Sequence, residues 1–260
     1  MDFTTEPDRN SGRLVSYFWS DETIRSRSVS GVVIASVLDV PEPPRWLLAH
    51  WKREVVSRLD LQPGDVQELT LTPARSRWPD YRGCVQKVQD WTHLKGLGSV
   101  IATSTVALMV SRGARYHHDG NQYGGMAFCN LFLSDDCGQD LHFPSIGCRI
   151  PLTRGTVVIF DTCQPHAVIA RTADGFCAAD FPADQDCNQV FLTWELPLET
   201  IGVANALQIT FDTDPVIPLT VQKEQVWMHA APAHVSPRSG QWCTDVSSET
   251  PDAPLPLKTQ

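Results

Sequence analysis

After Gly98 the chain breaks into short runs of β-branched and aromatic residues separated by turn residues, with no 3.6-residue period between them. The runs cover 99–110, 114–118, 125–133, 140–144, 147–152, 156–161, 165–171 and 188–196. The breaks carry turn chemistry, as at Arg112-Gly113, Asp119-Gly120-Asn121 and Arg154-Gly155. Consecutive strands without crossover helices argue against a parallel βαβ sheet. They predict a mainly β fold with flanking helices, in the form of a sandwich or jelly roll.

Ahead of that core the pattern changes. Gly31–Val40 is rich in β-branched residues and reads as a strand ended by Pro41, Pro43 and Pro44. From Pro44, the residues Leu47, Leu48, Trp51, Val55 and Leu59 recur at helical spacing until Pro63-Gly64. Val85, Val88 and Trp91 predict a second helix over 81–94. Residues 1–30 are polar and weakly patterned and read as a partly ordered lead-in. A further strand is expected at 205–213, followed by a proline-rich extension that reads as a flexible tail from about 230. Trp227 and Trp242 stand out there, because tryptophan in such a stretch often docks. The organisation is thus 1–98 as lead-in and supporting helices, 99–213 as core and 214–260 as extension.

Composition narrows the function classes. With 21 Lys and Arg against 30 Asp and Glu, the net charge of −9 disfavours a nonspecific nucleic-acid binder. No apolar run is long enough for a membrane span, and MDFTTEPDRN lacks an export signal, so the cytoplasm is the expected compartment. The eight cysteines form no CxxC pair. Runs such as Phe128-Cys129 and Phe176-Cys177 read as reduced core positions.

His117 and Asp119 lie two apart at the end of a predicted strand, so both point to one side. His166 opens a later strand that a rolled double sheet can bring opposite. Two imidazoles and one carboxylate leave about three octahedral positions open, which suits non-haem Fe(II). His118 alternates to the other face, although a register shift of one would exchange it with His117. His142 reads as a strand-face residue and His50 as the exposed side of its helix. Asn121, Gln122 and Tyr123 follow in a loop that either contacts substrate at the barrel mouth or only turns the chain. Arg75, Arg77, Trp78, Tyr81 and Arg82 either line an entrance or form a solvated segment with buried rings.

The stretch 115–196 resembles the core of the Fe(II)- and 2-oxoglutarate-dependent dioxygenases, especially the prolyl-4-hydroxylase-like group. The matching pieces are Tyr116–Asp119, Leu131–Asp136, Gly138–Pro144, Pro151–Asp161 and Pro165–Val168. The resemblance implies a double-stranded β-helix and makes His117, Asp119 and His166 both the iron ligands and the catalytic centre. It also implies 2-oxoglutarate as cosubstrate and O₂ as oxidant. That family holds the distal carboxylate of 2-oxoglutarate with a basic residue. No Lys or Arg occurs between Arg171 and Lys223, so Arg171 is the leading candidate, Arg115 the next, and Thr193 a supporting hydroxyl. Arg149 and Arg154 read as turn or surface residues. The expected substrate is a small molecule or a peptidyl side chain. A cupin-like metalloenzyme that does not use 2-oxoglutarate and a noncatalytic jelly-roll binding module are the alternatives.

Overall fold

The computed structural model describes residues 3–4, 14–182, 184–214, 217–218 and 220–244. The strands are β1 (Phe3–Thr4), β2 (Leu14–Ser20), β3 (Thr23–Ser28), β4 (Val33–Val37), β5 (Val66–Leu69), β6 (Val106–Ser111), β7 (Ala114–His117) and β8 (Met126–Phe132). They continue with β9 (Gln139–Phe143), β10 (Cys148–Pro151), β11 (Thr156–Asp161), β12 (His166–Ala170), β13 (Gln189–Pro197), β14 (Gln225–Met228), β15 (Ala231–Val235) and β16 (Trp242–Thr244). The helices are α1 (Arg45–Glu54), α2 (Thr72–Arg77), α3 (Tyr81–Leu94), α4 (Val100–Thr103) and α5 (Ile201–Ala206).

The strands from β6 to β13 wind between two facing sheets. One has the order β1-β4-β11-β8-β13-β6-β5 and the other β10-β9-β12-β7. This is a mainly β, double-stranded β-helix with flanking helices. Each strand alternates. Phe128, Phe132, Phe160 and Phe191 point inward and meet Leu141, Phe143 and Val168 from the smaller sheet. The opposite face of the larger sheet carries Cys129, Leu131, Ile159, Leu192 and Trp194, and Leu47, Trp51, Val88 and Trp91 of the helices cover it.

The helix at 81–94 forms as expected, and α1 extends through a π-helical turn at Val55–Leu59. Leu48 departs from its pattern and is exposed. Other expectations fail for reasons of packing. Residues 100–103 form α4 rather than the start of a strand, because Val100 and Ile101 turn into the helix-side core. The stretch 205–213 gives the end of α5 and one bridge from Phe211 to Arg27. Cys177 is exposed, whereas Cys84, Cys129, Cys163 and Cys187 are buried. No described helix is long and apolar enough to cross a membrane.

The largest departure joins the two ends of the chain. β2 and β3 of the lead-in pair with β14, β15 and β16 of the extension in a third sheet, ordered β16-β15-β14-β2-β3. Tyr17, Val15, Val221 and Trp227 form its core. The turn after β15 lies on the outer face of the smaller sheet, where Val235 joins Tyr116, Ala167 and Ile169. Gly240, at φ +70°, permits this approach. A Cβ there would sit 2.4 Å from Pro144 Cγ and 2.5 Å from Tyr116 Cδ1. The region 231–244 is therefore structural, and the remainder of the expected flexible tail, 245–260, lies outside the described residues. Truncation after Ala230 is expected to lower the urea midpoint, with a loss on the order of 3 kcal/mol from uncovered apolar surface. An unchanged midpoint would show that β15 and β16 add nothing to stability.

Candidate metal centre

The smaller sheet pairs His166 with His117 and Val168 with Ala114, so Arg115 and Tyr116 together oppose Ala167. This is a β-bulge on an edge strand. Ala114 faces the interior, and strict alternation would turn residues 116 and 118 inward after it. The extra residue resets the phase. Tyr116 faces outward and shares a hydrogen bond of 2.8 Å with His142 Nδ1, while His117 returns to the inner side.

His117, Asp119 and His166 then converge. One ligand atom from each lies within 4.8 Å of the others. His117 Nε2 is 3.8 Å from Asp119 Oδ1, and His166 Nε2 is 3.6 Å from Asp119 Oδ2. Each imidazole is oriented from behind: His117 Nδ1 donates to the Arg115 carbonyl at 2.6 Å and His166 Nδ1 to the Gln164 carbonyl at 2.9 Å. With Nδ1–H committed, both Nε2 lone pairs face the carboxylate, the arrangement a metal-binding histidine needs. The donor set fits Fe(II). Burial, then the neighbouring His117, holds His166 well below the usual imidazole range. Burial pushes the Asp119 carboxyl up, against the pull of His117 and His118. A divalent cation would reverse that pressure.

The supports come from three directions. Asp119 N–H donates to the Thr162 carbonyl, and its own carbonyl accepts from Gln122 and Tyr123. Phe143 and Phe160 pack beside His166, with ring centroids 6.1 and 4.8 Å away, and keep water from its inner side. His118 points away from the centre and packs against Trp242, with ring centroids 4.8 Å apart and the planes tilted by 52°. Burial lowers its pKa to about 4. Trp242 thus docks, as its presence in the extension suggested.

The cofactor-binding residues named from the sequence separate. Arg171 is five residues beyond His166, and alternation holds along β12, so it emerges on the outer face. There its guanidinium takes both oxygens of Asp136 at 2.9 Å and Asp140 Oδ1 at 2.8 Å. The expectation that it meets a cosubstrate is corrected: two carboxylates already neutralise it on the wrong side of the sheet. Arg149 shares Asp140 and reaches three carbonyls, and Arg154 bridges Glu42 and Asp135.

Arg115 instead lines an open cleft of about 430 Å³ together with His117, Asp119, Gly64, Asp65 and Gln67. It bonds the Pro63 carbonyl at 2.9 Å and contacts Asp65 at 3.4 Å. Gly64, at φ +93°, leaves room for it, since a Cβ would lie 2.8 Å from Arg115 Cγ. Thr193 lies buried on the inner face of β13, its hydroxyl without a hydrogen-bond partner among the described residues. Arg75, Arg77 and Arg82 are exposed around buried Trp78 and Tyr81 in the helical layer, behind the larger sheet rather than at this cleft. The sequence reading missed Glu195 and Asn130, which face inward near the mouth. The alternation of Phe191, Thr193 and Glu195 against Val190, Leu192 and Trp194 was the available signal.

No protein-family model and no curated protein sequence matches the chain. Among solved structures, a prolyl-4-hydroxylase from Pseudomonas putida aligns with 64% of this chain and 92% of its own, at 15% identity and a TM-score of 0.37. A truncated viral collagen prolyl hydroxylase from Paramecium Bursaria Chlorella virus-1 aligns with 58% of this chain and 81% of its own, at 12% identity and a TM-score of 0.35. At these values neither bears on what this chain does.

Proposed function

We propose that the protein is a non-haem iron oxygenase that uses 2-oxoglutarate to hydroxylate, or otherwise oxidise at a C–H bond, a small molecule or peptidyl side chain. The observation that carries this reading is the convergence of two Nε2 atoms and one carboxylate at the open end of the barrel. Three ligands on one side leave the other coordination positions to cosubstrate and oxidant. His117, Asp119 and His166 would hold the iron. When bound, iron, 2-oxoglutarate and O₂ supply the oxidising chemistry, with succinate and CO₂ as products. The chain's own share is to orient the ligands through the Arg115 and Gln164 carbonyls, to exclude water with Phe143 and Phe160, and to offer Arg115 to a carboxylate in the cleft.

Succinate formation from 2-oxoglutarate by Fe(II)-loaded protein tests the reading. Arg115→Ala is expected to raise the 2-oxoglutarate KM about tenfold, the lower end for a charged hydrogen bond because the side chain is half exposed. Arg171→Ala should leave that KM unchanged. An increase with Arg171→Ala alone would return the role to Arg171.

One observation favours a second reading, a metalloenzyme that does not use 2-oxoglutarate. Among the described residues no Lys or Arg faces the barrel interior, and Arg115 at the rim already meets Asp65. Metal binding without succinate formation under any substrate would support it.

A further inference from the structure

The inner face of the larger sheet carries side-chain oxygens that no group among the described residues answers. On β13 the inward residues toward the mouth are Thr193 and Glu195, and their partners across β8 are Asn130 and Phe128. Asn130 is 7% exposed and Thr193 9%, yet Asn130 Oδ1 and Thr193 Oγ1 have no hydrogen-bond partner among the described residues. Such orphaned groups are costly unless something fills them. Beside them, half-buried Glu195 has no cation among the described residues.

Aromatic rings complete the surroundings. Tyr123 packs on Phe128 at 5.1 Å, and Phe128 on Phe160 at 6.1 Å, whose ring lies 4.8 Å from His166. Glu68 pairs with Met109 in register, which puts it on the same inner side of the larger sheet. In the adjoining cleft Asp65 is paired with Arg115. Glu195 is two strands from Phe160, roughly 10 Å at ordinary strand spacing. A short aliphatic chain would bridge a group held there to the metal.

We propose that the substrate brought to this metal carries a cationic nitrogen group, an ammonium or a guanidinium, received by Glu195 beside the packed rings of Tyr123 and Phe128. The choice of chemistry follows from the lining. A carboxylate, an amide oxygen and a hydroxyl all accept from N–H, and an ammonium or guanidinium has several such donors to give. Aromatic faces attract the same charge. An anionic group there would meet Glu195 and Glu68, and a purely apolar one would leave Asn130 and Thr193 unanswered. The inference rests on the reading of the triad as the reacting centre.

The test uses the Co(II)-loaded protein and four ligands: the N-acetyl amides of lysine, arginine, norleucine and glutamate. Binding is read by calorimetry and by the Co(II) visible spectrum. The lysine or arginine amide is expected to bind and shift the spectrum, with norleucine and glutamate about tenfold weaker or worse. Glu195→Gln should remove that preference without altering Co(II) affinity, and Tyr123→Leu should weaken the cationic ligand alone. The unfolding midpoint of each variant shows that it is folded. Equal binding of norleucine, a preference that survives Glu195→Gln, or no binding by any of the four would overturn the proposal. Succinate release separates this from the oxygenase reading. Glu195-dependent binding without succinate sinks only the oxygenase, whereas succinate formation stimulated equally by the norleucine amide sinks only the cationic substrate.

Discussion

His166→Ala, His117→Ala and Asp119→Ala are each expected to lose metal binding by much more than the roughly 10–100-fold that follows from losing a supporting hydrogen bond. Each removes one of three protein ligands. The two remaining donors do not define an octahedral face, and no other His, Cys, Asp or Glu among the described residues joins the cluster. The variants should stay folded, because the ligands sit at or just beyond strand ends and none belongs to the hydrophobic clusters, although His166→Ala also removes a ring packed on Phe143 and Phe160. Calorimetric titration with Fe(II) under anaerobic conditions, beside thermal unfolding of the metal-free protein, measures both. His118→Ala is the control. It should bind metal nearly as the parent does and lose some stability, since its ring packs on Trp242 rather than on the centre. A loss of metal binding in His118→Ala with retention in His117→Ala would mean that the bulge in β7 is misplaced by one residue.

Arg27→Met is expected to destabilise the protein by about 3–5 kcal/mol, the usual result of leaving one member of a buried ion pair alone. Arg27 and Asp161 are both fully buried and form two parallel hydrogen bonds of 2.8 Å. The guanidinium also reaches the Gly124 carbonyl at 2.6 Å and Cys163 Sγ at 3.1 Å, while Asp161 accepts from Ser30 N–H and Cys163 N–H. One pair thus ties β3 to the loop after Asp119 and to the segment leading into His166. Calorimetry should show a fall in Tm of roughly 6–20 °C, together with weaker metal binding as both ligand loops loosen. The double variant Arg27→Met with Asp161→Leu should recover much of the stability, because neither charge is then stranded. A single variant that loses under about 1 kcal/mol would show water entering to solvate Asp161.

The same residues show where local sequence stops being informative. Arg27 sits in a stretch that reads as a weakly ordered lead-in, since an arginine among serines looks solvated. Its burial depends on Asp161, more than a hundred residues later. Arg171 fails the opposite way. It is the sole cation available after His166 until Lys223, yet Asp136 and Asp140 lie beside it on the outer face. Chain position cannot tell which carboxylate lies across a sheet from a given cation.

What the sequence determined by itself is whatever short-range period records. Alternation and turn residues mark the strands from 114 to 196, and a helical period marks 81–94. The His117-Asp119 spacing with a later His166 marks the candidate centre. These are legible because burial of one strand face repeats every second residue, and turns need residues of particular φ. Tertiary structure alone decided the rest. The bulge opposite Ala167 selects His117 over His118, since an extra residue in an edge strand leaves no periodic trace. The third sheet joins Leu14–Ser28 to Gln225–Thr244, because pairing between distant segments is chosen by complementary surfaces that neither segment displays alone. Glu195 is left without a cation among the described residues for the same reason: only assembly of the barrel shows which charges end up with partners.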